Sequence, residues 1–114
     1  MRFLFLLHGD QTAEAALTAE ERRAIVEGHI SFAAMLREQG AFVAGEALAG
    51  SSSAAVVRPG PKPIITDGPF AETKEAIGGF YLVECTDRAQ ALRLASLVPA
   101  SPGLAVEVLE VVEL

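Results

Sequence analysis

The first strand of this chain has to be buried on both of its faces. Residues 3–7 read FLFLL, so both alternating sets of side chains along an extended strand are apolar. A strand of this kind needs packing partners above and below it. A chain of 114 residues is long enough to bury a core but too short for two domains, so we expect one domain over residues 1–114.

The order of the predicted elements is β-α-β, a β-hairpin, and β-α-β. Thr18 and Glu21 have the spacing of a capping box, and Gly40 is a helix stop, which predicts a first helix between them. Asp87 and Gln90 open a second helix that runs to about residue 98. The remaining segments read as strands over residues 41–48, 79–85 and 104–114, with a hairpin of residues 54–58 and 63–66.

This order predicts an α+β protein with a ferredoxin-like split βαβ fold and a β-hairpin insert. In that plan two helices cover one face of an antiparallel sheet. The other face would be a large apolar patch for a monomer. We therefore expect a symmetric homodimer that packs sheet to sheet.

Composition limits the partners and the compartment. The net charge of −6 argues against nucleic acid or an anionic membrane as a partner. The apolar run at the start is too short for an export signal, and no stretch is long enough to span a bilayer. Cys85 is the only cysteine, which excludes an internal disulfide and fits a reducing compartment. We expect a cytoplasmic protein.

The residue most able to carry chemistry is His29. On a 3.6-residue repeat it falls on the same stripe as Ile25, Phe32 and Leu36, so it faces the sheet. One interpretation is a core histidine with a single hydrogen bond. The other is a general acid or base in a cleft between the helix and the sheet.

A metal site is the weaker interpretation of the histidines. His8 ends the first strand, a position as suited to plain surface or the rim of a dimer as to a site. A closed zinc site would need two more ligands beside His8 and His29, and Asp10, Glu46 and Asp67 are the plausible donors. We predict neither a metal nor another cofactor.

The loop that follows the hairpin contains more residues with special conformational roles than a tight turn requires. Asp67 can accept backbone hydrogen bonds in an Asx turn, Pro69 restricts Gly68, and Phe70 needs an apolar surface. A purely structural turn explains these four residues.

A structural turn explains the next stretch less well. Residues 72–75 read ETKE, and Gly78 and Gly79 then open a strand, where paired glycines indicate a bulge or a close backbone approach. A solvated loop and the wall of a small pocket are both compatible with this pattern.

The stretch TDGPFAETKEAIGGFYLVE resembles the signature of the DGPF proteins, a branch of the YCII-related superfamily. The similarity includes LLHGD, GAFVAGEAL and VVR and extends over nearly the whole chain. It implies a ferredoxin-like fold that dimerises into an α/β barrel. It also implies an active-site histidine on the first helix, here His29, with an acidic partner. Asp67 is the first choice for that partner, and Asp10 and Glu46 are the runners-up.

The resemblance supplies no reaction, so two functions stay open. The first is a cofactor-free enzyme acting on a small molecule, with His29 and Asp67 as the catalytic pair. Its expected substrate-binding residues are Asp10, Glu46, Phe70, Glu72, Lys74 and Gly79. The second is a non-catalytic ligand-binding or regulatory module. Because some DGPF domains are associated with extracytoplasmic-function sigma factors, a sigma factor is then the candidate partner.

Overall fold

A computed structural model describes residues 1–71 and 75–114 of the chain. Within these ranges the strands are β1 (Arg2–Asp10), β2 (Phe42–Ala47), β3 (Ala55–Arg58), β4 (Ile64–Asp67), β5 (Glu75–Glu84) and β6 (Ala105–Glu110). The helices are α1 (Gln11–Ala15), α2 (Ala19–Glu38) and α3 (Arg88–Ala95), with a 3₁₀ turn over Ser51–Ser53. No helix in the described ranges is both long enough and apolar enough to cross a membrane.

The main sheet has four strands in the order β2-β5-β1-β6, and every neighbouring pair is antiparallel. At its centre Phe5 lies opposite Tyr81 on one side and Val108 on the other. The described residues form an open sheet and no closed barrel. The prediction of a mixed α and β fold with an antiparallel sheet is confirmed.

Helix α2 begins and ends where its sequence predicts. The Thr18 hydroxyl accepts a hydrogen bond from the Glu21 N–H at 3.1 Å, and the Glu21 carboxylate accepts one from the Thr18 N–H at 2.9 Å. At the other end Gly40 has φ of +70°, a left-handed conformation that favours glycine. The Ala41 N–H then bonds to the Leu36 carbonyl at 2.8 Å, which turns the chain into β2.

Several elements differ from the sequence prediction. Helix α3 ends at Ala95 rather than at about residue 98, and β6 ends at Glu110 rather than at residue 114. Strand β1 continues to Asp10, and α1 replaces the polar connection that the sequence suggested, because the Asp10 carboxylate caps that helix by accepting from the Ala13 N–H at 3.1 Å. Strand β5 begins at Glu75 rather than at residue 79, since Glu75 pairs with the extended end of β1.

The hydrophobic core lies between the sheet and the helices. Alternate residues of β1 point into it, so Phe3, Phe5 and Leu7 are buried. Phe32 and Leu36 of α2 are buried against them. Helix α3 adds Ala91 and Leu94, and β5 adds Tyr81 and Val83.

The other face of the sheet carries apolar side chains with no helix over them among the described elements. Strand register places Leu4 opposite Leu82 and Leu109, and Leu6 opposite Phe80. We call this set (Leu4, Leu6, Phe80, Leu82 and Leu109) the open sheet face.

Strands β3 and β4 form a separate two-stranded sheet, which confirms the predicted hairpin. Their register runs from Ala55 opposite Asp67 to Arg58 opposite Ile64. We call residues 55–67 the hairpin arm. At its base the Gly68 N–H donates to the Ala54 carbonyl at 2.7 Å.

Candidate active site

A cavity of about 410 Å³ lies between α2 and the edge of the sheet formed by β2 and β5. We call it the α2 cleft. Small residues on both walls leave the space open, because neither Ala33 of the helix nor Gly45 and Gly79 of the strands carries a side chain long enough to fill it. Its polar side chains include His29, Tyr81 and Arg37.

A second cavity, of about 420 Å³, also borders His29. Its wall includes Gln11, Glu14 and Arg22 from the first two helices. Ser101 and Leu104 contribute from the chain leading to β6. The imidazole of His29 is therefore in reach of two separate spaces.

His29 and Tyr81 form a hydrogen-bonded pair. The imidazole Nδ1 lies 2.7 Å from the Tyr81 hydroxyl oxygen, and the two rings are nearly parallel, with an interplanar angle of 16°. Phe32 meets the Tyr81 ring edge-on, at 5.0 Å between ring centres and an angle of 72°. Since Phe32 is buried, its contact fixes the tyrosine and, through it, the imidazole. Nε2 makes no hydrogen bond to a described residue.

Burial shifts both groups towards their neutral forms. Desolvation lowers the pKa of His29 below its ordinary value, because the charged imidazolium is disfavoured away from water. The same cause raises the pKa of Tyr81. At neutral pH the site therefore holds an uncharged imidazole beside a protonated phenol, and Nδ1 is occupied while Nε2 can exchange a proton with a ligand.

Two glycines make room for this pair. A methyl group placed on Gly45 would lie 2.7 Å from Cδ1 of Tyr81, so only a glycine lets the tyrosine ring occupy its position. A methyl group on Gly79 would lie 3.0 Å from the Glu46 carbonyl oxygen, so this glycine allows the close approach of β5 and β2. Gly79 was predicted to bind substrate, and it is a buried wall residue of the cleft.

The structure brings together some of the other predicted site residues and not the rest. Glu46 borders the α2 cleft. Asp10 caps α1, and Asp67 ends the hairpin arm as an exposed residue, and neither borders the two cavities. Phe70 is 82% exposed, with the Arg58 guanidinium 5.8 Å from its ring centre. The pairing of His29 with Asp67 stays a prediction.

Glu72 and Lys74 lie outside the described residues. His8 lies on the alternation face of Leu4 and Leu6, where its Nε2 is 3.0 Å from a carboxylate oxygen of Glu107. The described part of the chain holds no group of three or more His, Cys, Asp or Glu residues able to bind a metal ion.

Sequence reasoning missed Tyr81 and Arg37. Tyr81 is the only tyrosine of the chain and follows the Gly78-Gly79 pair by two positions, on the side of β5 that faces the core. Its partner is 52 residues away in sequence, so only the folded sheet reveals the pair. Arg37 repeats the helical spacing of His29 and Ala33, a signal that was available in the sequence.

The fold and the cleft define a small α/β protein with a histidine–tyrosine pair in a cavity between a helix and a sheet. The sequence matches the YCII-related domain over residues 1–114. It is 31% identical over 105 residues to an uncharacterised protein of Rhizobium meliloti (strain 1021), in an alignment that covers 90% of this chain and 85% of that protein. The chain belongs to the YCII-related family, as the resemblance predicted.

Proposed function

We propose that the protein is an enzyme acting on a small molecule without a prosthetic group, with His29 as its acid–base group in the α2 cleft. The observation that carries this proposal is the 2.7 Å hydrogen bond between Nδ1 and the Tyr81 hydroxyl, which orients the imidazole and leaves Nε2 without a partner among the described residues. A core histidine needs only one such bond, but it does not need two cavities beside it.

In this mechanism Nδ1 of the neutral imidazole carries the proton and donates it to the Tyr81 oxygen, so Nε2 has the free lone pair. His29 then takes a proton from the ligand at Nε2 and returns it to the ligand at another atom. Its lowered pKa keeps the imidazole unprotonated at neutral pH, so the base is present before the ligand binds. Tyr81 is a positioning residue, since it holds Nδ1 and limits rotation of the ring. An aligned group of this kind contributes about 10²–10⁴-fold to a rate.

We also propose the finer family assignment, the DGPF branch, with a ferredoxin-like arrangement and a homodimer that forms an α/β barrel. The strand order β2-β5-β1-β6 and the open sheet face support it. Within one chain Asp67 lies outside the cleft, so a His29–Asp67 pair needs the hairpin arm of a second subunit. A cytoplasmic location, in keeping with the single cysteine, is part of the proposal.

A substrate panel tests the enzyme. Lactones, enones and halogenated acids are incubated with the wild type, His29→Gln and Tyr81→Phe, with His8→Gln as the matched control. We expect turnover by the wild type and by His8→Gln, a loss of about 10²-fold or more in His29→Gln, and a smaller loss in Tyr81→Phe. Equal turnover by His29→Gln and the wild type would overturn the role of His29.

One set of observations favours a second candidate, a regulatory module without catalysis. The hairpin arm and the loop after it expose Val57, Ile65 and Phe70, a surface suited to another protein, and the net charge of −6 suits a basic partner such as a sigma factor. Under this alternative, Ile65→Lys and Phe70→Ala abolish capture of a purified sigma factor, whereas His29→Ala leaves it intact. Failure of the wild type to bind any sigma factor counts against it.

A further inference from the structure

We infer that the α2 cleft binds a small carboxylic acid, with the carboxylate on Arg37 and the atom that exchanges a proton at Nε2 of His29. The inference rests on the proposed function, to which it adds the class of substrate and a residue that recognises it.

Arg37 is aligned with His29 along the helix. His29, Ala33 and Arg37 are spaced by four residues each, so they lie on one stripe of α2 and all three border the cleft. Eight residues of helix place the Cα atoms of His29 and Arg37 about 12 Å apart. The cleft therefore has a cation at one end and a proton-exchanging group at the other.

The guanidinium of Arg37 is held in place but not neutralised. Its Cζ atom lies 4.2 Å from the centre of the Phe42 ring, and that ring also borders the cleft. No carboxylate among the described residues lies within ion-pair distance of it. A planar guanidinium presents paired N–H donors that match the two oxygens of a carboxylate.

The other charged residue that borders the cleft does not compete for Arg37. Glu46 follows Gly45 in β2, and successive side chains of a strand point to opposite faces. Gly45 lies opposite Tyr81 on the helix side, so the Glu46 side chain points to the face of its partner Phe80. His29 and Tyr81 are neutral at neutral pH because burial lowers the pKa of the first and raises that of the second. Counted over the described residues, the net charge inside the cleft is thus positive.

Between His29 and Arg37 the helix side of the cleft is apolar, with Ile30 and Ala33, and Gly45 borders the cleft from the sheet. An elongated monocarboxylic acid with an apolar body fits the order of groups along the cleft, which is the Arg37 guanidinium, the apolar walls and the His29 imidazole. A second carboxylate would sit against the partly buried His29 and Tyr81, where the described lining of the cleft offers no second cation. Arg37 could instead serve only the last turn of α2, where a positive charge is favourable, and the experiment separates these roles.

The experiment measures binding without turnover. Titrations with 4-phenylbutanoate and hexanoate, and with the two corresponding amides, are followed by the NMR chemical shifts of amides around the cleft. We expect Arg37→Gln to weaken binding of the acids by about 10- to 100-fold and to leave binding of the amides unchanged. Arg37→Lys should fall between. Arg23→Gln, an exposed arginine of the same helix that borders neither cavity, is the matched control and should bind like the wild type.

The outcomes separate the ligand class from the catalysis. If acids bind to a His29→Gln variant and this binding depends on Arg37, the inference is supported. If no acid is turned over, only the proposal of catalysis is refuted. Equal binding of acids to Arg37→Gln and Arg23→Gln overturns the inference. The inference is also overturned if neither acid binds. It is overturned, too, if only neutral compounds bind and are turned over, but that result supports the proposed enzymatic activity.

Discussion

The partly buried imidazole of His29 links the stability of the protein to pH. Burial lowers its pKa in the folded state, whereas the unfolded chain has the ordinary value of about 6.5. Below pH 6.5 the unfolded state therefore binds a proton more readily than the folded state. The contribution of His29 to the free energy of unfolding is constant above that pH, falls as the pH drops towards the folded pKa, and is level below it.

We predict that this decline disappears in His29→Gln. Urea unfolding between pH 8 and pH 5 gives the free energy of unfolding of each protein, and the advantage of the wild type over the variant should shrink below pH 6.5. His8→Gln removes the other histidine. In this variant the part of the decrease in the free energy of unfolding that comes from His29 should be the same as in the wild type. A difference between wild type and His29→Gln that does not vary with pH would contradict the prediction.

Gly45 is important because it has no side chain. In Gly45→Ala the new methyl group would lie 2.7 Å from the Tyr81 ring, so the ring must shift and its bond to His29 weakens. We predict a loss of about 1–3 kcal/mol in the free energy of unfolding and an altered His29 Nδ1 resonance. Gly78→Ala is the control, because a methyl group there meets nothing within 4 Å. Similar losses in both variants would show that the effect is not specific to the tyrosine.

The sequence predicted the helix residue of the site better than the strand residues. His29 could be placed on the sheet-facing side of α2, because a helix repeats every 3.6 residues and its apolar stripe is visible in one short segment. Tyr81 contacts it across the layers of the fold, and no local pattern encodes such a contact. Only the family resemblance points to Asp67, and the hairpin arm holds it away from the cleft of its own chain.

At the level of elements, the start of α2 depends on a reciprocal cap. We predict that Thr18→Ala lowers the free energy of unfolding by about 0.5–2 kcal/mol, because the Glu21 N–H loses its acceptor. The measurement is urea unfolding at pH 7, and Thr12→Ala, an exposed threonine of the neighbouring helix, should change stability much less. An effect no larger than that of the control would mean that the helix start is fixed by packing instead.

The ends of α2 lie where the sequence predicts them, because local capping residues determine them. The start of β5 differs from the prediction, because its partner strand determines it. Thr18 and Gly40 bound α2 as the sequence predicts. Strand β5 instead takes its beginning from the register with β1, which places Glu75 opposite Asp10. A polar segment such as Glu75 has no strand pattern of its own, so its partner determines its conformation.

At the scale of the whole molecule, the chain exposes more surface than a compact monomer of its mass. Its accessible area is 7819 Å², whereas a compact protein of 12.0 kDa exposes about 6,000 Å². Its radius of gyration is 15.7 Å against about 13 Å for a compact chain of this length. The shortest dimension is 18 Å, which fits one layer of helices on one sheet. The excess of area is of the size that a stable dimer buries.

We predict that the protein sediments as a dimer, with twice the mass of the 12.0 kDa chain. In Leu6→Lys a charge is placed at the centre of the open sheet face, so the protein should sediment as a monomer. Leu97→Lys also replaces an exposed leucine, but it follows α3 on the helix side and should leave the dimer intact. A monomeric wild type, or a Leu6→Lys variant that stays dimeric, would exclude this interface.

The separate placement of the hairpin arm has a consequence for how such proteins diversify. The buried core of the described residues takes no side chain from residues 55–67, and the base of the arm is closed by the bond between Gly68 and Ala54. Changes in the length or chemistry of the arm therefore cost little of the stability of the sheet. A lineage, or a protein engineer, can replace the arm to recruit a different neighbour, and the walls of the α2 cleft within the same chain stay as they are.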